Sequence, residues 1–246
     1  MRIAIFGASG QIGRGVCELL IAEGHDVVRA SRDSGVDVLT GQGVADALVD
    51  AHVLVDVLNS PSFDDEPVME FFSTSTRTLV DAARTAGVAH YVALSIVGDT
   101  RLPDSGYMRA KVAQETLIES SGLPYTIVRA TQFIEFADAI VASLTEGDVV
   151  RVPQARIQPI AAAEVVAHVA RAAVGSPAGV VEIGGPETIT FADLARTVLA
   201  RNGEHRDIVI DPAATYFGDT VDDDSLVTGP GAALGVTRFG EGPPGR

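Results

Sequence analysis

The chain has one cysteine, one lysine and no tryptophan in 246 residues. A single thiol, Cys17, cannot close an intrachain disulfide, and that points to a reducing compartment. Basic residues are scarce: 18 Lys plus Arg stand against 33 Asp plus Glu, a net charge of −15. Such a field repels nucleic acid and anionic membrane, so neither is an expected partner. No run approaches the ~18 consecutive apolar residues of a membrane span. The opening MRIAIFGASGQIG has one Arg and a short apolar run, and does not read as a signal peptide. Low-complexity tracts, collagen-like repeats and heptads are also missing. These absences lead to the expectation of a soluble, cytoplasmic protein. What is present is ordinary globular composition, 46% hydrophobic and 21% charged. A chain this long buries roughly three-quarters of its unfolded surface, so its core needs no staples.

Apolar periodicity gives the elements. Ile3–Phe6 reads as a strand that runs into a glycine-rich turn. Gln11–Glu23 is helical, with Ile12, Val16, Leu19 and Leu20 on one face, and Gly24 stops it. Strands are expected at His25–Arg29, Val36–Leu39, Val53–Leu58, His90–Leu94 and Tyr125–Arg129. Helices are expected at Val44–Asp50, Val68–Thr85 and Tyr107–Ser120. Strands alternating with helices imply parallel β-α-β units, hence an α/β fold with a doubly wound parallel sheet. The rhythm loosens after Ala130. Helices are expected at Phe133–Leu144, Ala163–Ala173 and Phe191–Ala200, and strands at Val149–Val152, Ile157–Ile160, Val180–Ile183 and Ile208–Ile210. Gly218–Arg246, rich in Gly, Pro and Asp, reads as a loop or partly mobile tail.

Gly7-Ala8-Ser9-Gly10-Gln11-Ile12-Gly13 lies between the first strand and the first helix, the context a dinucleotide fingerprint requires. Gly7 permits the tight turn, Gly10 lets a pyrophosphate approach backbone, and Gly13 allows close packing of helix on strand. Ser9, Gln11 and Ile12 complete the cradle, and the helix start presents free N–H groups to phosphates. An NAD site places an acidic side chain at the end of the second strand. Here that strand ends in Ser31-Arg32. A guanidinium matches a 2′-phosphate by forked, charge-assisted bonds. The expected cofactor is therefore NADP(H) ahead of NAD(H). Arg29 is the weaker candidate, because alternation turns it to the other face. Asn59, just beyond the Val53–Leu58 run, falls at the expected cofactor crevice.

Tyr107 and Lys111 stand at i and i+4 of a helix and so share a face. An ammonium near a phenol stabilises phenolate and lowers the phenol pKa. A phenol so tuned can give its proton to a carbonyl oxygen as hydride arrives. The ammonium can hold ribose hydroxyls. Of the 18 basic positions only Lys111 and Arg129 lie four residues after a tyrosine, and the sole lysine occupies one of them.

The GxxGxxG spacing, Val27–Arg32, Tyr107–Lys111 and the segment Thr126-Ile-Val-Arg-Ala-Thr-Gln-Phe133 together resemble an atypical short-chain dehydrogenase/reductase of the NmrA-like, NAD(P)H-binding branch, over residues 1 to about 210. The resemblance implies a Rossmann core with a small C-terminal substrate lobe, as one domain over 1–246. The core would be about residues 1–130 with a later strand near 180–183. The lobe would come mainly from about 131–165 and 186–246. The resemblance makes Asp37-Val38 an adenine-edge pair. It also makes Ser95, at the end of a strand, the hydroxyl that holds the substrate oxygen. The catalytic set it implies is Ser95, Tyr107 and Lys111.

Members of this branch reduce ketones, imines, enones or quinones, or only sense the nucleotide. Sugar-nucleotide epimerases share the three residues but carry a larger C-terminal domain. The reading is an NADPH-dependent reductase of a small carbonyl-type or quinone-like compound. Its alternatives are a non-catalytic NADP(H)-responsive regulator that binds a protein partner, and an epimerase-like enzyme. Phe63, Phe133 and Phe136 are candidate walls of a substrate pocket. His25, His52, His90, His168 and His205 share no ligand spacing, so no metal is expected. Asp222-Asp223-Asp224 reads as a solvated turn, and Cys17 as a packed residue. The sequence leaves a homo-oligomer open.

Overall fold

The computed structural model describes residues 1–241. The last five residues of the expected tail, 242–246, lie outside the described residues. In chain order the larger elements are β1 (Arg2–Phe6), α1 (Gln11–Ala22), β2 (Asp26–Ala30), α2 (Val44–Ala47), β3 (Val53–Asp56), α3 (Asp65–Ala86), β4 (His90–Ile96), α4 (Gly106–Glu119) and β5 (Tyr125–Ala130). There follow α5 (Ala137–Ser143), β6 (Thr145–Glu146), β7 (Val149–Val152), β8 (Arg156–Ile157), α6 (Ala162–Val174), β9 (Gly179–Gly184), β10 (Ile189–Thr190), α7 (Phe191–Asn202), β11 (Asp207–Ile210) and β12 (Ala233–Leu234).

A seven-stranded parallel sheet runs in the order β12-β9-β5-β4-β3-β1-β2. β1 pairs with β2 on one side, Ile5 opposite Arg29, and with β3 on the other, Ile5 opposite Val55. The winding therefore reverses between β1 and β3. In doubly wound sheets ligands bind beyond the carboxyl ends of the strands at that reversal. Ile3, Ala4, Ile5 and Phe6 of β1 are all inaccessible to solvent, as a central strand covered on both faces must be.

Two compact units are distinguishable. The first comprises residues 1–95, 106–129 and 163–181. Its core gathers Phe6, Leu54, Leu79, Tyr91, Ile118 and Ile127. Helix α1 contributes a face of Ile12, Val16, Cys17 and Leu20 at helical spacing. Helix α3 ends on Gly87 at φ +70°, where the chain closes back on Ala83 and Arg84 carbonyls. Helix α4 is tied to β5 by Arg129, whose guanidinium grips both oxygens of buried Glu115.

The second unit comprises residues 96–105, 130–162 and 182–241 among those described. It contains the three-stranded sheet β11-β7-β6 and the pair β10-β8. Thr190 caps α7 through the Asp193 N–H, and Phe191 packs against Tyr216 with ring centroids 5.7 Å apart.

One sequence expectation is corrected. Val36–Leu39 is not a strand. The alternation is present, and Val36 and Val38 are buried. But Asp37 Oδ1 accepts the Leu39 and Thr40 N–H groups, so the backbone is satisfied by a turn and not by a neighbouring strand. The described part of the expected C-terminal segment, residues 218–241, is loop as expected, with one short strand and several buried anchors. Tyr216, Asp219, Ser225 and Leu226 are buried. The Asp219 carboxylate accepts the Ser105 N–H at 2.6 Å, and β12 pairs in parallel with Ile183 and Gly184 of β9. A smaller revision concerns Phe133–Leu144, which is broken into a 3-10 turn at Ile134–Phe136 and then α5.

Candidate active site

The glycine turn leaves β1 at the reversal point. Gly7 sits at φ +88°, and a Cβ there would stand 2.7 Å from the Val57 carbonyl oxygen. Only glycine satisfies both conditions. Gly13 is equally constrained, since its Cβ would fall 2.1 Å from Gly7 O. Gly10 differs. It is extended (φ −72°, ψ 171°), and its Cβ would lie 3.3 Å from Gly7 O, so the fold nearly tolerates a side chain there. Gly10 is the N-cap of α1, which has no side-chain cap and no acidic residue in its first turn. Ser9, Gly10 and Gln11 are exposed. An uncapped, open helix start with its positive dipole end is suited to a pyrophosphate, so these residues fit a dinucleotide.

Beyond β2, the Ser31 N–H donates to Ser34 Oγ in a capping box. Arg32 is exposed and makes no ion pair among the described residues. Arg29 is exposed on β2. The Asp37 carboxylate is engaged in its own turn, and Val38 is in the core.

Beyond β3 and β4 lie the polar groups. Asn59 Oδ1 accepts the Tyr107 hydroxyl at 3.3 Å and the Ser60 N–H at 3.1 Å. The Tyr107 ring lies between Phe63, tilted at 5.5 Å, and Phe72, edge-on at 5.9 Å. Burial among these rings pushes the Tyr107 phenol up to about 12. The sequence expectation was a phenol lowered by Lys111, so this is a reversal, and its cause is desolvation. Ser95 is 6% exposed, and its hydroxyl has no hydrogen-bond partner among the described residues. A buried hydroxyl left open in this way is an orphan that a bound oxygen could satisfy.

Lys111 is 2% exposed. Its ammonium donates to Leu94 O at 2.9 Å and to Gln114 Oε1, and stands over the Phe72 ring. Gln114 Nε2 donates to Asp56 Oδ2 at 2.9 Å, and Tyr91 donates to the same oxygen at 3.0 Å. Burial pushes the Asp56 carboxyl up, and the Lys111 charge opposes it. The Tyr91 phenol is driven well above its ordinary value by burial and by Asp56.

Sequence reasoning missed Asp56, Phe72, Tyr91 and Gln114. One signal was available: Gln114 is three residues after Lys111 and shares its helix face. Phe133 and Phe136 stack on one another, centroids 5.5 Å apart, in the second unit. His90 bonds Thr126 Oγ1 at 2.9 Å, and burial lowers its pKa. Asp222 Oδ1 accepts from Asp224 N and Ser225, which is turn chemistry. Cys17 is fully buried, and burial pushes its thiol up.

Among solved structures, the chain is similar to a dTDP-4-dehydrorhamnose reductase from Clostridium acetobutylicum, with a TM-score of 0.71 and 17% identity over 92% of this chain and 91% of that one. It is also similar to the NADPH-dependent quinone oxidoreductase QOR2 of Escherichia coli complexed with NADPH, with a TM-score of 0.66 and 22% identity over 85% and 78% of the two chains. Both likenesses are of fold. Among curated proteins, it is 27% identical over 149 residues to the photosystem II assembly factor Ycf39 of Cyanophora paradoxa. That match covers 55% of this chain and 46% of the relative, so the chain spans about half the length of the curated relative it matches. No helix among the described residues is long and apolar enough to cross a membrane. The sequence profile of the NAD(P)H-binding family matches residues 7–177, which hold the glycine turn, Ser95, Tyr107 and Lys111, and the chain belongs to that family.

Proposed function

We propose that this chain is an NADPH-dependent oxidoreductase that reduces a small carbonyl-type or quinone-like compound. The observation that carries the proposal is that one unit holds the glycine turn, a buried Ser95 hydroxyl without a hydrogen-bond partner among the described residues, and a half-buried Tyr107 phenol that donates to Asn59 Oδ1. Bound NADPH supplies the hydride. The Gly7–Gly13 turn, with Ser9, Gln11 and Ile12, holds the pyrophosphate, and Ser31 with Arg32 holds the 2′-phosphate. Asn59 and the backbone of the Asp37-Val38 turn line the remainder of the cofactor, and Lys111 orients it. Ser95 donates a hydrogen bond to the substrate oxygen. Tyr107 gives that oxygen its proton, and water restores the phenol. A phenol raised to about 12 stays protonated at neutral pH but is a weaker acid than an ordinary one, so its proton passes only as hydride arrival makes the substrate oxygen the stronger base.

Tyr107→Phe tests this directly, because it removes one hydroxyl and keeps the ring. Single-turnover hydride transfer to a panel of ketones and quinones at saturating NADPH should slow ~10²–10⁴-fold. NADPH affinity should barely move. A loss below about fivefold, under ~1 kcal/mol of barrier, removes Tyr107 from the mechanism.

A second reading is a nucleotide-responsive protein that assists assembly of other proteins. The likeness to an assembly factor favours it. It expects NADPH binding without turnover against any member of the panel.

A further inference from the structure

Lys111, the only lysine in the chain, is buried. Water around an ammonium must be replaced when the group is buried, or the group gives up its charge. Leu94 O, Gln114 Oε1 and the Phe72 ring face replace part of it. All three are uncharged. A negative charge that interacts with the ammonium is Asp56, 1% exposed at the end of β3. It is reached through Gln114, which stands between the two. Its carbonyl faces the ammonium and its NH₂ faces the Asp56 carboxylate, so the amide dipole is favourable at both ends. Tyr91 from β4 and the Leu58 N–H complete the carboxylate. These contacts bring together Lys111 and Gln114 from α4, Asp56 from β3, Tyr91 from β4 and Phe72 from α3.

We propose that Asp56 and Gln114 are positioning residues: the Asp56 carboxylate, acting through the Gln114 carboxamide, is the counter-charge that fixes the Lys111 ammonium at the Leu94–Ser95 end of β4. A direct contact between Asp56 and Lys111 would draw the ammonium down onto the carboxylate. The amide spacer instead leaves it bonded to Leu94 O, one residue before the Ser95 hydroxyl. The strand end that presents Ser95 is thereby held by Lys111, and the lysine by α4 and β3. The consequence for catalysis rests on the reading of Lys111 as the residue that orients the cofactor.

A sole lysine makes the test direct. Protein labelled with ¹⁵Nζ-lysine has one side-chain amine resonance, and its titration reports Lys111 in the full chain without turnover. Asp56→Asn and Gln114→Met should each lower the Lys111 titration midpoint by about one unit, a tenfold change in proton affinity, because the ammonium loses its counter-charge or its link to it. Gln114→Glu, nearly isosteric, should raise the midpoint above wild type by putting a carboxylate against the ammonium. It carries the test if Asp56→Asn does not fold. Midpoints in these variants within a threefold change in proton affinity of wild type overturn the proposal. A separate arm adds saturating NADPH to the wild-type protein. A shifted Nζ resonance, together with a raised KM for NADPH in Gln114→Met, supports the positioning role. A resonance unmoved by NADPH overturns the cofactor reading of Lys111, while the charge relay is judged by the titration alone.

Discussion

The Lys111 ammonium lies over the face of Phe72, 4.5 Å from the ring centroid, and the edge-on contact of the same ring with Tyr107 spans 5.9 Å. One buried side chain of α3 therefore sets the surroundings of both helix residues. Towards the lysine it offers the negative face of its π-system, an attraction worth ~2 kcal/mol when desolvated. Towards the tyrosine it contributes an apolar ring in a T-shaped contact. The two partners of the Tyr-x-x-x-Lys pair are thus treated oppositely: the cation is accommodated and the phenolate is disfavoured.

That asymmetry has a measurable pH dependence. The Tyr107 phenol stands at about 12 in the folded protein and near 10 in an unfolded chain. The unfolded state therefore ionises first. The stability contributed by the neutral phenol is complete below about pH 10 and is lost as pH rises towards 12, at most ~3 kcal/mol for a shift of this size. Urea unfolding of wild type and Tyr107→Phe between neutral pH and pH 11 should show wild type losing more stability than the variant. Parallel losses would mean that the hydroxyl is not desolvated in the folded state.

Much of this site was legible in the chain. The turn Gly7–Gly13 was readable because its glycines are fixed by local geometry, a positive φ at Gly7 and a backbone approach at Gly13. The strand at Val53 was readable as a short continuous apolar run, and the helix carrying Tyr107 as a segment closed by Gly122 and Pro124. Val36–Leu39 misled because an alternating pattern marks only which residues are buried. It does not reveal that the Asp37 side chain has taken over the backbone donors. The Tyr107 phenol misled for a related reason. Its ammonium neighbour is visible in sequence spacing, but the Phe63 and Phe72 rings come from elsewhere in the chain. The link between Asp56 and Gln114 was unreadable for the same cause, since it spans 58 residues.

The glycines of the turn separate fold from ligand. Gly13→Ala puts a methyl group 2.1 Å from a backbone oxygen. The helix must shift, at a cost of ~1–3 kcal/mol or more. Gly10→Val meets Gly7 O only at 3.3 Å, with a φ that suits any residue. Its branched side chain instead occupies the open face of the helix start. Thermal unfolding should find Gly13→Ala clearly destabilised and Gly10→Val much less so. Titration with NADPH should find binding reduced at least tenfold in Gly10→Val. Normal binding by that variant would place the pyrophosphate elsewhere.

Cofactor choice rests on Arg32. The residue is exposed, lies in the turn that follows β2, and makes no ion pair among the described residues, so its guanidinium is available to an anion. A 2′-phosphate presents the charge and oxygen spacing that a guanidinium fork matches, and NADH lacks it. Charge-assisted bonds of this kind contribute about 1.5–3 kcal/mol, roughly ten- to a hundredfold in affinity. Wild type should therefore bind NADPH more tightly than NADH by about that factor. Arg32→Ala should erase most of the difference by weakening NADPH alone, because the pyrophosphate contacts are common to both nucleotides. Raised ionic strength should weaken NADPH more than NADH in wild type and equally in the variant, since screening acts on the 2′-phosphate contact. An Arg32→Ala protein that keeps the full preference would move phosphate recognition to another cation, and Arg29, exposed on the neighbouring strand, would be the next to substitute.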